Sequence, residues 1–460
     1  MLPQWPCAGL ALLLAACTTG AVPAPAQPPP AARSVTADVA LLTFDSAWSR
    51  IAHTHYDTAW AGVDWPAVRD ELRPRAASAR TIGELRAVIV RMLERLGESH
   101  FVLIPAEAAE AADALGHDRE AAGHVAGDAG LRVRLVDGEL LVWQVDPGGP
   151  AAAAGVRTGW SVEAIGGRPL RPRLEHLEGL PAAEQRLARL RLQFQVHAEL
   201  EGDVGAQRRL RLRDGSGRSR DIVLVLRQSP GELVRFGSLP PMRASLSHER
   251  VALDARCVGL IRMNVWMVPL MPAFDRAIDA TRDCAGMVID LRGNPGGVAG
   301  MVMGTAGHFI DDTVALGVMR TRTSELRLRA NPRRVAADGR AVAPYAGPVA
   351  ILVDELTVST SELFAAGLQG VGRARVFGSR SAGQALPAML ARLPTGDVLM
   401  HAIADYTGPG GVRIEGDGVL PDVLVKPTRT ALLAGVDPAL DAALDWIRRT
   451  TANLDGENGP

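Results

Sequence analysis

Lysine is almost missing from this sequence. Lys and Arg together number 50, yet Lys426, in the strand-like run "DVLVKP", is the single lysine. A catalytic pair of serine and lysine is therefore nearly excluded. Surplus charge is missing as well: the formal net charge is −1 and the pI about 6.8. Nothing here suggests a nucleic-acid partner, which would show as a basic excess or stripe. Beyond the N-terminal region no stretch holds 18 uninterrupted apolar residues, so no internal membrane span is expected. The glycine-rich "DLRGNPGG" lacks the Gly-Lys-Ser/Thr ending of a phosphate loop. His53, His55 and Asp57 in "AHTHYD" do not share one helix face, which argues against a metal site. No metal and no cofactor is expected. Cysteine is scarce: of four, Cys7 and Cys17 lie in the N-terminal region.

What is present fits a globular chain of about three domains, with 47% hydrophobic and 22% charged residues among 460. "CAGLALLLAAC" has the apolar core and small-residue end of a secretory signal. Leu14-Ala15-Ala16-Cys17 resembles a bacterial lipobox, with Cys17 cleaved free and lipidated. An ordinary signal cut near Ala21 or Ala26 is the alternative. No Lys or Arg precedes the apolar core, a departure from both. Residues 1–17 are read as a signal peptide with lipobox and 18–35 as a Pro/Ala-rich tether. The expected location is the bacterial cell envelope, as a lipid-anchored periplasmic protein at the outer rather than the inner membrane.

Helical spacing of Leu41, Phe44, Trp48 and Ile51, and a capping box Thr81-x-x-Glu84 before an apolar stripe, predict a helical cap. With its connector the cap spans 36–123. From 124 to 228 the period is that of strands, with an Asp137-Gly138 hairpin. "DPGGPAAAAGVRTGWSVEAIGGRPL" closely resembles the PDZ signature, apart from Trp160 where Asp is usual. A PDZ-like module implies capture of extended peptide ends. Over 229–450, "VGLIRM", "GMVIDLR", "VAILVD", "ARVFG" and "VLMHAIADY" alternate with helices, which predicts an α/β domain. Residues 451–460 are read as a disordered tail. Cys257 and Cys284 each precede a predicted buried strand; if those strands are parallel neighbours, a disulfide is within reach, and two free thiols are the alternative.

"STSELFAAGLQG", from Ser359, follows an apolar strand. Ser359-x-x-Glu362 has the form of a capping box. A serine at a strand-to-helix turn also sits beside backbone N–H groups that can hold an oxyanion, so cap and nucleophile both remain open. A nucleophile needs a base and an orienting group. His401 lies mid-strand, and His53 and His55 within a helical pattern. His100, in a loop past a helix end, is placed to present a catalytic group.

"LGESHF", "DLRGNPGG", "VSTSELFAAGLQ", "GSRSAGQ" and "RIEGDGVLPD" occur in this order, with the PDZ-like module between the first two. The ordered set resembles the carboxy-terminal processing (tail-specific) serine proteases over nearly all of the chain after residue 36. The tail-specific type carries a Lys 25 residues after the nucleophile; here that position is Gln384. The other variant, similar to the tricorn protease core, uses Ser, His and Glu. The resemblance implies Ser359 as nucleophile rather than Ser361, His100 as base, Glu415 in "EGDGVLPD" as orienting carboxylate, and Ser99 bonded to that carboxylate. It implies an oxyanion hole from Thr360 and Gly296 or Gly297, and a crotonase- or Clp-protease-like α/β catalytic core. The expected partners are protein or peptide substrates, taken by their C-terminal tails or otherwise. Two rivals are a catalytically silent lipoprotein that binds peptide ends, and a crotonase-type acyl-CoA enzyme, which export to a compartment without CoA disfavours.

Overall fold

The structure, a computed structural model, describes residues 33–107, 126–235, 237 and 242–457. The signal sequence, Cys17, nearly all of the tether and most of the connector lie outside the described residues.

The cap is three helices, α1 (Ala37–Thr54), α2 (Trp65–Ala77) and α3 (Ile82–Glu94). Each start is fixed by a side-chain oxygen: Thr36 accepts from the Val39 N–H, Asp64 from Ala67, and Thr81 from Glu84 in a complete capping box. Phe44, Ile51, Trp65, Leu72, Leu85, Ile89 and Met92 are fully buried in one cluster, which also takes Leu393 and Leu399 from the far end of the chain. The cap is thus packed onto the α/β domain. After α3 the chain reverses at Gly97, whose φ of +66° suits glycine. It then enters the strand Val102–Ile104, antiparallel to Val398–Ala402. Residues 98–101 therefore form a turn held at both ends.

The insert is built on an antiparallel sheet of Leu131–Val136, Glu139–Val145, Ser161–Ile165, Gln207–Arg213 and Ser219–Val225. Asp137 and Gly138 both have positive φ, as a two-residue hairpin turn requires. Two helices, Arg171–Glu178 and Ala182–Leu200, were not expected from the sequence. The second buries two faces. Leu192, Val196 and Leu200 cover the sheet, while Leu187, Leu190 and Phe194 pack on Leu356, Val358 and Ala382 of the α/β domain. Apolar residues on two sides leave no single stripe to read.

The α/β domain is built on a six-stranded sheet in the order Leu246–Leu253, Arg256–Met263, Gly286–Asp290, Val349–Val353, Arg375–Gly378, Val423–Leu424. The last five are parallel; the first is an antiparallel edge. The central strands are buried along their whole length, as strands covered on both faces must be. Met271–Thr281 and Thr360–Gly370 cover one face. Ala443 and Ile447 of the helix Pro438–Glu457 cover the other, against Val288, Ala350, Leu352 and Phe377. The core is α/β, two helical layers around a mostly parallel sheet.

Two expectations are corrected. "VLMHAIADY" is not one strand of this sheet. Val398–Ala402 joins Ala388–Arg392 and Val102–Ile104, and Asp405–Thr407 pairs with Ala315–Arg320. The break falls after Ile403, whose N–H to the Pro387 carbonyl is the last bond of the pairing with Ala388–Arg392. The tail expected to be disordered from residue 451 is helical through Glu457. Thr451 is buried and bonds back to the Ile447 carbonyl, which carries the helix on. No helix among the described residues is long and apolar enough to cross a membrane.

Because Arg256–Met263 and Gly286–Asp290 are parallel neighbours, Cys257 and Cys284 meet, with Cα atoms 4.8 Å apart and a disulfide between them. The bond closes a loop of 27 residues. Replacing both cysteines by alanine should cost about 3–4 kcal/mol. Urea unfolding under non-reducing conditions checks this; an unchanged midpoint would mean the thiols are not bonded.

Candidate active site

The strand Val349–Val353 ends at Asp354, and the chain turns through Thr357 into the helix Thr360–Gly370. Ser359 occupies that turn at φ +55°, ψ −121°. Positive φ in a residue other than glycine costs roughly 1–3 kcal/mol and persists only where surrounding structure imposes it. The Ser359 N–H donates to the Gln384 carbonyl (3.0 Å) and to Glu362 Oε2 (2.9 Å). The Ser359 carbonyl accepts from Glu362 N–H (2.7 Å) and Leu363 N–H (3.0 Å). Glu362 therefore reaches back to its helix start, as a capping box asks.

Glu362 also does more than cap. It is fully buried and accepts from Ser381 Oγ (2.6 Å), Gly383 N–H (2.6 Å) and Gln384 N–H (3.0 Å). Burial pushes its carboxyl up to about 7, against the downward pull of these donors.

The "GNPGG" loop lies against Ser359. A Cβ on Gly296 would stand 2.7 Å from Ser359 Cβ and 2.9 Å from the Thr360 nitrogen, so only glycine fits. Asn294, fully buried, shapes the loop. Its Nδ2 donates to the Met263 carbonyl, its Oδ1 accepts from Gly296 N–H, and its carbonyl accepts from Val358 N–H and Ser361 Oγ. Trp266 Nε1 donates to Ser361 Oγ (2.8 Å), and Trp266 N–H to the Gly296 carbonyl (2.8 Å). Thr360 Oγ1 donates to the Gly297 carbonyl. The Gly296 N–H is thus already engaged.

On the cap side, His100 has φ +61°. Ser99 N–H donates to Glu415 Oε1 (3.0 Å) and Ser99 Oγ to Oε2 (2.9 Å); Ser99 Oγ lies 2.7 Å from His100 Nδ1. A carboxylate only accepts, so the hydroxyl proton belongs to Glu415 and Nδ1 must donate to Ser99 Oγ. Burial lowers the His100 pKa to about 4 and raises that of Glu415, the latter opposed by bonds from Ala385 N–H and Ser99.

One turn touches both halves. The Gln384 carbonyl takes the Ser359 N–H, the Ala385 N–H goes to Glu415 Oε2 (2.7 Å), and the Gly383 carbonyl takes the Gly416 N–H. Position 384 is where the tail-specific variant carries its lysine; here it has backbone contact with Ser359 but a glutamine side chain. Lys426 is exposed, just past the edge strand Val423–Leu424. Of the other histidines, His401 Nδ1 meets Thr54 Oγ1 (3.1 Å) and His55 Nε2 meets Glu98 (3.0 Å). His53 is exposed on α1. Among the described residues no group of three or more His, Cys, Asp or Glu could hold a metal. A cavity of about 2500 Å³ lies between insert and catalytic domain, lined by Arg134, Trp143, Arg292 and Pro295, the last adjacent to Gly296. Sequence reasoning missed Asn294, Trp266, Ser381 and the 383–385 backbone. Asn294 lies in "DLRGNPGG", where the signal pointed to the glycines, and Ser381 and residues 383–384 lie in "GSRSAGQ", where it pointed to the residue at position 384.

Peptidase family S41 matches residues 257–425, and the tricorn protease C1 domain matches residues 43–94. The chain is 25% identical over 418 residues to a carboxyl-terminal-processing protease of Picosynechococcus, covering 88% of this chain and 89% of the relative. It is 24% identical over 391 residues to the chloroplastic carboxyl-terminal-processing peptidase 3 of Arabidopsis thaliana, covering 83% and 68%. Its fold is similar to the photosystem II D1 C-terminal processing protease, with TM-score 0.55 and 21% identity over 87% of this chain and 98% of that one. It is also similar to mature CPAF in complex with lactacystin, with TM-score 0.57 and 14% identity over 92% and 99%. Fold and relatives together define a serine peptidase with a Clp-protease-like α/β core. Residues 257–425 match peptidase family S41, and over most of its length the chain is similar to C-terminal processing proteases.

Because the folded-state pKa of Glu362 is raised above that of a free carboxyl, the folded chain holds a proton between pH 4.5 and about 7 that the unfolded chain has released. Its contribution to stability is present below pH 4.5 and is lost as pH rises through 7. Urea midpoints at pH 5.5 and 8 should therefore differ more in the native protein than in Glu362→Gln. Equal differences in both would show that Glu362 does not titrate in this window.

Proposed function

We propose that the protein is an exported serine endopeptidase acting on protein or peptide substrates through Ser359, His100 and Glu415. The hydrogen-bond chain Glu415–Ser99–His100, joined to the Ser359 backbone by residues 383–385, is the observation that carries this reading. With Nδ1 committed to Ser99, His100 Nε2 is the free lone pair. It takes the Ser359 hydroxyl proton as Oγ attacks the peptide carbonyl. The carbonyl oxygen becomes an oxyanion, held by Thr360 N–H at the helix start and by Gly297 N–H, since Gly296 N–H is given to Asn294. His100 then returns the proton to the leaving amine, the acyl-enzyme forms, and water repeats the sequence to release the acid. Ser99 acts as the link through which Glu415 fixes the tautomer and stabilises the imidazolium. The absence of lysine at position 384 supports this variant over a Ser–Lys pair.

The insert is read as PDZ-like, with domain limits 36–123, 124–228 and 229–450, and it binds peptide ends or gates the site. Export, lipidation at Cys17 and a periplasmic, outer-membrane location complete the reading. A disulfide between Cys257 and Cys284 suits an oxidising compartment.

Ser359→Ala should abolish labelling by a fluorophosphonate and hydrolysis of unfolded casein. Ser99→Ala and Glu415→Gln should each lower kcat by about 10²–10⁴-fold. Casein bound and recovered uncut by the native protein would favour the silent peptide-binding rival instead.

His100, held neutral by burial, should remain a competent base down to unusually low pH. The acid limb of kcat/KM is expected near pH 4 rather than at the 6.5 of a free imidazole. Activity is present above that limb and lost below it. A limb at 6.5 or higher would show that burial does not govern the base.

A further inference from the structure

Immediately before Ser99 stands Glu98, a carboxylate in the same turn that the mechanism does not use. Its Oε1 accepts from the Tyr56 hydroxyl (2.5 Å) and its Oε2 lies 3.0 Å from His55 Nε2. Since a carboxylate donates nothing, Nε2 carries the proton of that bond. The Arg413 guanidinium stands 3.7 Å from Oε1. His55 is completely buried at the end of α1, and its ring stacks on Phe101 with centroids 5.6 Å apart. One imidazole therefore touches both flanks of the Ser99–His100 pair: Glu98 before it and Phe101 after it. Arg413 lies two residues before Glu415, so Glu98 and Ser99 face Arg413 and Glu415 as two adjacent rungs between the same two segments.

The turn needs such restraint. Gly97 and His100 both have positive φ, and the His100 conformation is costly for a residue with a side chain. Beyond its bond to His100, Ser99 is tied by its N–H and its hydroxyl to Glu415. Glu98 ties the other side, to the C-terminal end of α1. We propose that Glu98, held by Tyr56 and His55, is a positioning residue that fixes the Ser99–His100 turn and so sets the aim of the base. Glu98 touches no reacting atom; it acts through the backbone of the two residues that follow. This rests on the reading of Ser359, His100 and Glu415 as the catalytic set.

The test uses the full chain and a fluorophosphonate, whose reaction with Ser359 needs the base but no particular peptide. Saturation kinetics separate the maximal labelling rate from the apparent affinity. Tyr56→Phe removes one hydroxyl and keeps the ring; it should lower the maximal rate about 10-fold. Glu98→Ala should lower it about 100-fold and Glu98→Gln, which keeps an acceptor oxygen, by an intermediate factor. Affinity for the probe and the thermal midpoint should stay near native in Tyr56→Phe. A native maximal rate in folded Tyr56→Phe and Glu98→Ala, or a loss that merely follows a lowered thermal midpoint, would overturn the proposal. Native labelling in Ser359→Ala would instead remove the catalytic reading beneath it. Loss in Ser359→Ala beside a native rate in the Glu98 and Tyr56 variants would sink the positioning role alone.

Discussion

Two residues that are not glycine sit in left-handed backbone at the heart of this protein, Ser359 and His100. Neither conformation is favourable by itself, and the rest of the site is arranged to impose both. Two buried carboxylates do most of this. Glu362 gathers the Ser359 N–H together with Ser381, Gly383 and Gln384. Glu415 gathers Ser99 and Ala385. The turn 383–385 is common to both, so a displacement of either half of the site is felt by the other through two successive peptide units. Neither carboxylate faces a buried cation in these contacts. Each is held by hydrogen bonds from groups that are themselves fixed, and burial raises the pKa of both.

Much of the fold could be read from local pattern. The cap helices announce themselves through Thr81-x-x-Glu84 and the stripe Leu85, Val88, Met92 and Leu96, although Ile89 rather than the half-buried Val88 completes the core. The buried strands at 286–290 and 349–353 show as continuous apolar runs. Failures came where an element serves two masters. The helix Ala182–Leu200 buries Leu192 and Val196 against the insert and Leu190 against Val358, so its apolar residues are spread around the helix among arginines. "VLMHAIADY" has the composition of one strand, yet two different sheets divide it at Ile403. Thr451 continues the last helix because it finds burial, a tertiary fact invisible to composition.

The candidate site was legible to a similar depth. Ser359 before a helix and Ser99–His100 past a helix end are local signals, and "EGDGVLPD" is a motif. Backbone contributors are another matter. Gln384 and Ala385 act through a carbonyl and an N–H that every residue has. Asn294 takes the Gly296 N–H out of contention, a fact that depends on one side-chain rotamer. Glu98, a charged residue in a loop, reads as solvated until the cap folds back and brings His55 and Tyr56, 43 and 42 residues earlier in the chain, against it.

On the proposed reading, a histidine base in place of a lysine also changes where the base comes from. A lysine at position 384 would approach Ser359 from the turn that now carries only backbone contacts. With histidine the proton acceptor arrives from the cap, a separate packing unit, and must be held across a junction. That explains why so many contacts tie the two units near residue 100: the strand pair Val102–Ile104 with Val398–Ala402, Leu393 and Leu399 in the cap core, and Ser99 on Glu415. Burial lowers the His100 pKa, which under that reading keeps the base uncharged at rest. The carboxylate stands one hydroxyl away rather than in contact. At that remove it can fix the tautomer through Ser99 without drawing a proton onto the ring before the serine gives one up.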